Sequence, residues 1–185
     1  MPRLIWSSSL DRGVENLLYL YPFIKNRYPD TTLDIYYGWG QWFNEGNRKQ
    51  FKDDVMATIN RLPDVKFYGR VSQDILHKAQ KEADAWLYPS AFHETLCITA
   101  IENMLARNVI VCSKLAGLID TVGPRGIIIE GNPYSKEYRE RFLNEFFGIW
   151  EDKERLNQLL DLAEQWAKTQ TWENRAKSWQ GIFNL

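Results

Sequence analysis

Two glutamates and one arginine are the residues of this sequence whose types and positions could do chemistry on a ligand. Glu94 and Glu102 stand eight positions apart at the start of the apolar segment AFHETLCITAIENMLARNVIVC, residues 91–112. This pattern predicts Glu94 in a loop and Glu102 on the helix that follows. Carboxylates accept strong charge-assisted hydrogen bonds. Arg12, in the polar loop SSSLDRG, supplies a guanidinium that could bind an anionic ligand.

Alternating short apolar runs and helical patterns predict the elements that position these residues. Strands are predicted at residues 4–6, 33–37, 65–68, 85–88, 109–112 and 126–129, and helices at 14–24, 48–61, 72–83 and 95–107. Pro22 is expected to kink the first helix or shorten its final turns. After Pro133 the helical segments are 138–149, 152–169 and 172–183. The order predicts an α/β fold with a Rossmann-like, doubly wound parallel sheet of about six strands and a helical tail from about 134 to 185.

Composition limits the classes of protein to consider. A chain of 185 residues with 44% hydrophobic residues predicts one domain, residues 1–185. With 23 Lys and Arg against 24 Asp and Glu and no dense basic run, no nucleic-acid partner is expected. The apolar runs are too short for a transmembrane segment. Two cysteines, Cys97 and Cys112, lack metal-type spacing, so we expect no metal site and a reducing, cytoplasmic setting.

The predicted fold places several polar loops at one edge of the sheet. In parallel sheets, ligands bind outside the carboxyl ends of the strands, where helix N-termini favour anions. The loops at that edge contain Ser8, Ser9, Arg12 and Gly13 after the first strand, Gly38 after the second, Arg70 after the third, and residues 90–94 after the fourth. Together they predict a site for a phosphate-bearing ligand.

A nicotinamide or flavin dinucleotide is the main competing ligand on the same fold. Its usual binding loop has the pattern G-x-G-x-x-G between a strand and a helix. The nearest match begins at Gly38 and Gly40, and the third glycine position is occupied by Phe43. A Walker-type phosphate loop is also missing from the sequence. The pattern therefore favours a phosphate ligand that is not a dinucleotide held by a glycine loop.

The segment PSAFHETLCITAIENMLA resembles the donor-binding segment of retaining GT-B glycosyltransferases of the glycosyl transferases group 1, or family 4, type. In that family Pro-Ser-x-x-x-Glu leads to a second Glu after seven intervening residues. The stretches SSSLDRG, VKFYGRVSQDIL and TWENRAKSW also resemble family segments, in the same order. The resemblance implies that the whole chain is the C-terminal, nucleotide-sugar-binding half. The N-terminal acceptor domain is expected to be absent from this chain and to act in cis or in trans.

The resemblance also implies roles for individual residues. Glu94 would lie at the donor sugar and diphosphate, and Arg12 would meet the diphosphate charge as the sugar departs; these two are the implied catalytic residues. Glu102 would accept hydrogen bonds from the ribose hydroxyls. The other implied donor-binding residues are Thr95, Leu96 and Cys97, through backbone amides at a helix N-terminus, Arg70 and Val71 beside the base, and Ser8, Ser9, Gly13 and Gly38. No cofactor or metal is expected, since the nucleoside-diphosphate sugar is the substrate.

Departures from the family pattern leave alternatives open. A second cation of the first loop is replaced by Ser7 or Ser8, and two family glycines are replaced by Thr95 and Cys97. One alternative is therefore a non-catalytic interaction module derived from such an enzyme, and another is a different nucleotide-binding α/β protein. The aromatic residues Trp39, Trp42 and Phe43 either stack on a ligand or pack against neighbours or the absent domain. The closing helix, with Trp172, Trp179 and Phe183, is predicted to be core or an interdomain contact.

Overall fold

The computed structural model, which describes residues 1–183, contains one six-stranded parallel sheet with the order β3-β2-β1-β4-β5-β6. The strands are β1 (Arg3–Trp6), β2 (Thr32–Tyr36), β3 (Val65–Gly69), β4 (Ala85–Tyr88), β5 (Val109–Ser113) and β6 (Ile127–Ile129). All residues of β4 and β5 are buried. Near-continuous apolar strands of this kind are typical of a parallel sheet covered on both faces by helices. The predicted α/β, doubly wound architecture is confirmed.

Eight α-helices surround the sheet within the described residues. They are α1 (Val14–Arg27), α2 (Gly46–Arg61), α3 (Gln73–Glu82), α4 (Ile98–Leu105), α5 (Gly117–Thr121), α6 (Lys136–Glu151), α7 (Lys153–Lys168) and α8 (Trp172–Phe183). Short 3-10 turns occur at Leu10–Arg12, Gln41–Asn44 and Gly123–Arg125. The helical C-terminal segment predicted after Pro133 is confirmed. Positions 184 and 185 of the predicted tail lie outside the described residues.

Helix α1 does not end early at its proline. It continues through Pro22 to Arg27, and the amide of Tyr28 still donates to the carbonyl of Ile24 at 2.8 Å. A proline inside a helix costs about 3 kcal/mol. Tyr21 and Ile24 beside it are fully buried, and burial of a large apolar side chain contributes about 1.5–3 kcal/mol. Tertiary packing thus offsets the local cost.

Helix α4 begins three residues later than the predicted start at Thr95. Its first helical residue is Ile98, and Cys97 is the N-cap. The segment before it is held in a loop because the amide of Gly117 donates to the carbonyl of Glu94 at 2.8 Å. The backbone of Gly117 also lies against the carbonyl of Thr95. A long-range contact, which local sequence does not reveal, therefore sets the start of the helix.

Helix α8 is fully exposed. None of its residues is buried, and Trp172 and Trp179 are 89% and 59% exposed. The prediction that this helix belongs to the core is wrong, because all its residues are exposed to solvent. Its role as an interdomain contact stays a prediction.

Candidate functional site

A polar cleft of about 440 Å³ opens at the carboxyl ends of β1, β2 and β3, beside the first turns of α4. Three predicted donor-binding residues, Arg70, Val71 and Glu102, line it. Ser7, Tyr36 and Tyr37 also contribute to its walls. The cleft lies where the topology of the sheet places ligand sites in doubly wound folds.

Glu102 forms one end of this cleft and is held by a buried amide. Its side chain is 24% exposed, and its Oε2 atom accepts a hydrogen bond from Nε2 of Gln80 at 3.2 Å. Gln80 itself is only 1% exposed. The other carboxylate oxygen lies 3.8 Å from Nε2 of His77. The carboxylate is thus fixed on one side and keeps acceptor capacity toward the cleft.

A buried chain of amides continues from Gln80 to the first loop. Nδ2 of Asn108 donates to the carbonyl of Gln80 at 2.9 Å and to Oδ1 of Asn103 at 2.8 Å. Nδ2 of Asn103 in turn lies 3.4 Å from the Ser7 hydroxyl. Asn103 and Asn108 are fully buried. Because buried polar groups are costly unless paired, this network fixes α3, α4 and the first loop relative to one another.

Glu94 and Arg12 form an ion pair near the same edge of the sheet. Nη1 of Arg12 donates to both carboxylate oxygens of Glu94, at 2.9 and 3.0 Å, and Oη of Tyr88 donates to Oε1 at 2.7 Å. The guanidinium also lies 4.4 Å from the ring centroid of Phe92. Glu94 is 6% exposed, whereas the Arg12 side chain is 35% exposed. Arg12 therefore keeps a face open toward solvent while Glu94 is enclosed.

Burial raises the pKa of Tyr88, and its hydrogen bond to Glu94 raises it further. The phenol therefore remains a donor to the carboxylate at neutral pH. The neighbouring acids of Arg12 are engaged elsewhere: Asp11 accepts from the Ser9 hydroxyl at 2.6 Å, and Glu15 accepts from Tyr134 at 2.8 Å. Arg12 therefore pairs with Glu94 and not with either of the acids beside it in the sequence.

The loop before α4 presents a row of unused backbone donors. Within residues 1–183, the amides of residues 95–99 donate no hydrogen bond to a backbone or side-chain acceptor. Ile98 and Thr99 border the cleft. Successive free amides at a helix N-terminus favour an anion such as phosphate. The predicted contribution of Thr95, Leu96 and Cys97 is therefore geometrically available, although the first two precede the N-cap.

The loop does not require the two missing glycines. Neither Thr95 nor Cys97 has a positive φ, and φ of Cys97 is −87°. The Cys97 side chain is 3% exposed, and burial raises its pKa to about 12. Its thiol is consequently neutral and packed in the core, so only the backbone of this residue is offered to a ligand.

The predicted serines of the first loop act within the loop. Ser8 is 4% exposed, and its carbonyl accepts a hydrogen bond from the indole of Trp6 at 2.7 Å. The Ser9 hydroxyl is used by Asp11. Neither side chain borders the cleft. Both residues shape the loop that carries Arg12.

The two predicted glycines permit close approach of neighbouring loops. Gly13 has φ of 110°, and a Cβ there would lie 2.8 Å from the carbonyl oxygen of Pro89. At Gly38 a Cβ would lie 3.1 Å from Cβ of Arg70. Both positions are thus restricted by packing between loops at the site.

Sequence reasoning missed Tyr36, Tyr37, Gln73 and Gln80. The first three line the cleft, and Gln80 holds Glu102. The two tyrosines close the second predicted strand, residues 33–37, so their place at its carboxyl end could have indicated a position beside the ligand site. Gln80 lies on a helix with no such signal.

Within residues 1–183 no cluster of three His, Cys, Asp or Glu side chains is arranged to hold a metal ion. No helix within these residues is long and apolar enough to cross a membrane.

The doubly wound sheet, the carboxyl-edge cleft and the helical C-terminal segment define one half of a GT-B fold. Residues 6–166 match the family described as Glycosyl transferases group 1, and the chain belongs to that family. No match was found among curated proteins.

Three solved structures illustrate the likeness of the fold. Sucrose-phosphate synthase of Thermosynechococcus elongatus superposes with a TM-score of 0.76 at 19% identity, covering 99% of this chain and 45% of that protein. HepE of Anabaena, in complex with UDP and glucose, gives 0.74 at 17% identity, covering 99% and 48%. The pneumococcal O-GlcNAc transferase GtfA, in complex with UDP and GlcNAc, gives 0.75 at 15% identity, covering 97% and 35%. The chain thus spans less than half the length of these proteins.

Proposed function

We propose that this chain is the donor-binding domain of a retaining glycosyltransferase that uses a nucleoside-diphosphate sugar. The observation that carries the proposal is the set of open amides at residues 95–99, flanked in sequence by Glu94, which holds Arg12, and by Glu102 in the cleft. A nucleoside diphosphate needs hydrogen-bond acceptors for its ribose hydroxyls at one end of the site and hydrogen-bond donors for its phosphate oxygens at the other. The UDP complexes of HepE and GtfA, which share the fold, support this choice of ligand.

Each group then has a physical role. Glu102 accepts hydrogen bonds from the ribose hydroxyls, and Arg70 and Val71 border the base. The open amides bind the diphosphate oxygens. Arg12 stabilises the charge that grows on the leaving diphosphate, because a fixed cation costs little reorganisation as the sugar bond breaks.

Glu94 orients Arg12 in the absence of ligand and lies nearest the sugar when donor binds. Its pairing with a partly exposed Arg12 leaves that guanidinium able to turn toward the diphosphate, while Tyr88 keeps the carboxylate in place. Metal is not needed in this scheme, since backbone amides and arginine balance the phosphate charge.

Sugar transfer requires a second domain that brings the acceptor. The exposed apolar side chains of α8 support this part of the proposal, because Trp179 and Phe183 stack with ring centroids 5.5 Å apart yet are 59% and 58% exposed. Large exposed aromatic surfaces mark interaction sites. We assign α8 to the contact with an N-terminal acceptor domain, in cis or in trans. The two free, buried cysteines fit a reducing, cytoplasmic setting.

A non-catalytic interaction module remains the second candidate. The observation that favours it is Ser7, which lines the cleft and lies within hydrogen-bonding distance of Asn103. By resemblance, Ser7 or Ser8 stands where the family carries a second cation. Sugar transfer observed after addition of an acceptor domain would exclude this candidate.

Titration calorimetry with UDP, GDP and ADP tests the donor-binding proposal. We expect one of the three to bind, and we expect Glu102→Ala to weaken it by about tenfold or more through the loss of a charge-assisted hydrogen bond. Glu140→Ala, which removes a carboxylate on the exposed side of α6, is the matched control and leaves affinity unchanged. Absence of binding by the native protein would refute the proposal, and equal affinities for the native protein and Glu102→Ala would refute the assignment of Glu102.

A further inference from the structure

Tyr37 has an unusual backbone conformation at the mouth of the cleft. Its φ is 135°, outside the left-handed helical region that asparagine, aspartate and a few other residues adopt. The other non-glycine residues with positive φ in residues 1–183 are Asp64, Arg107 and Ala116, with φ of 56°, 61° and 46°, and none of them lines the cleft. A glycine would adopt the conformation of Tyr37 without strain. Such strain is typically retained where it serves a ligand site.

The surrounding backbone fixes this conformation. The amide of Tyr37 donates to the carbonyl of Gly69 at 2.9 Å, next to a register shift between β2 and β3. Gly38, the next residue, packs against the Cβ of Arg70. The ends of the two strands are therefore joined, and the turn at Tyr37 places its ring in the wall of the cleft.

The ring of Tyr37 is available to a ligand. Its neighbour Tyr36 stacks in parallel on Tyr68, with ring centroids 4.7 Å apart. Tyr37 has no aromatic partner among the described residues; the guanidinium of Arg70 lies 5.7 Å from its ring centroid. An aromatic ring beside a planar cation is a suitable surface for a flat heteroaromatic base.

We propose that Tyr37 stacks on the base of the nucleotide donor and is the residue that selects nucleoside diphosphates over base-free phosphates. This inference rests on the proposed function, because it assigns Tyr37 to the part of the donor site that binds the base, away from the diphosphate. Arg70, whose guanidinium lies over the Tyr37 ring, borders the edge of the base. Stacking does not distinguish strongly among bases, so Tyr37 selects for the presence of a base rather than for its identity.

The test compares Tyr37→Gly and Tyr37→Phe with the native protein. Two ligands are used. The first is whichever of UDP, GDP and ADP the native protein binds most tightly, and the second is inorganic pyrophosphate, which lacks a base. Calorimetry gives the affinities and thermal unfolding gives Tm. Tyr37→Phe retains the ring and is expected to bind the nucleotide like the native protein.

For Tyr37→Gly we expect opposite effects on binding and stability. Nucleotide affinity falls about tenfold, pyrophosphate affinity is unchanged, and Tm rises by about 2–4 °C as strain is released. If Tyr37 had only a structural role, Tyr37→Gly would lower Tm and weaken the binding of both ligands together, and this result would overturn the inference. Unchanged nucleotide affinity in Tyr37→Gly would overturn it while leaving the proposed function intact. No nucleotide binding by the native protein would overturn both.

Discussion

Gly117→Ala tests whether the contact between the α5 start and the loop before α4 holds the anion site in place. A Cβ at position 117 would lie 2.3 Å from the carbonyl oxygen of Thr95 and 2.7 Å from that of Glu94. Carbon and oxygen approach to about 3.3 Å in protein contacts, so the loop must retreat by about 1 Å. The 2.8 Å hydrogen bond from the Gly117 amide to Glu94 would be strained or broken.

The displacement affects both stability and binding. Overpacking of this kind costs about 1–3 kcal/mol of unfolding free energy. A shift of about 1 Å in a site that positions phosphate reduces affinity or rate by up to about 100-fold. We expect calorimetry with whichever of UDP, GDP and ADP the native protein binds to show this loss at a temperature where the variant is folded, and thermal unfolding to show the lower Tm.

Gly148→Ala is the matched control. Gly148 lies within α6 on its solvent-exposed side, and a Cβ there would meet no atom within 4 Å. The same substitution at that position should raise stability by about 0.4–1 kcal/mol and leave binding unchanged. If Gly117→Ala binds that nucleotide as tightly as the native protein, the loop does not depend on this contact and the reasoning is wrong.

Three further predictions concern the polar and titrating groups of the fold. Gln80→Leu removes the donor to Glu102 and should weaken binding of whichever of UDP, GDP and ADP the native protein binds about tenfold, but leave the affinity for its 2′,3′-dideoxy analogue unchanged; an equal loss for both ligands would contradict a role through Glu102. Burial raises the pKa of both Cys97 and Cys112, to about 12 for Cys97, so a thiol reagent at pH 8 should modify neither in the native protein and both after denaturation. Burial also raises the pKa of Tyr36 from 10.0 to about 12. Because this pKa is raised on folding, its stabilising contribution is complete below pH 10 and is lost as pH rises toward 12, and Tyr36→Phe should flatten that fall in thermal unfolding scans.

The resemblance implied that residues far apart along the chain share one ligand site, and their roles there stay predictions. In the structure Glu102 and Arg70 line one cleft, and Glu94 pairs with Arg12 across 82 positions, a contact that the sequence did not predict. These residues lie near one another because a parallel sheet brings the carboxyl ends of its strands to one edge.

Predictions that depended on local patterns alone were less accurate. Pro22 was expected to kink α1 or to shorten its final turns; the shortening is not observed, because burial of its neighbours keeps α1 helical to Arg27, and the kink stays a prediction. The start of α4 was placed at Thr95, whereas contact with Gly117 delays it to Ile98. In both places long-range packing outweighs local propensity, and that packing is not visible in a window of neighbouring residues.

The sequence by itself determined the fold class, the order of its six strands, and the edge of the sheet at which a ligand site is expected, because these follow from hydrophobic periodicity and chain connectivity. Only the tertiary structure decided how the site is held. It paired Glu102 with the buried Gln80, left the amides of residues 95–99 without acceptors, and forced Tyr37 to a positive φ beside Arg70. These features arise where separate segments meet, so their physical cause lies in packing between elements.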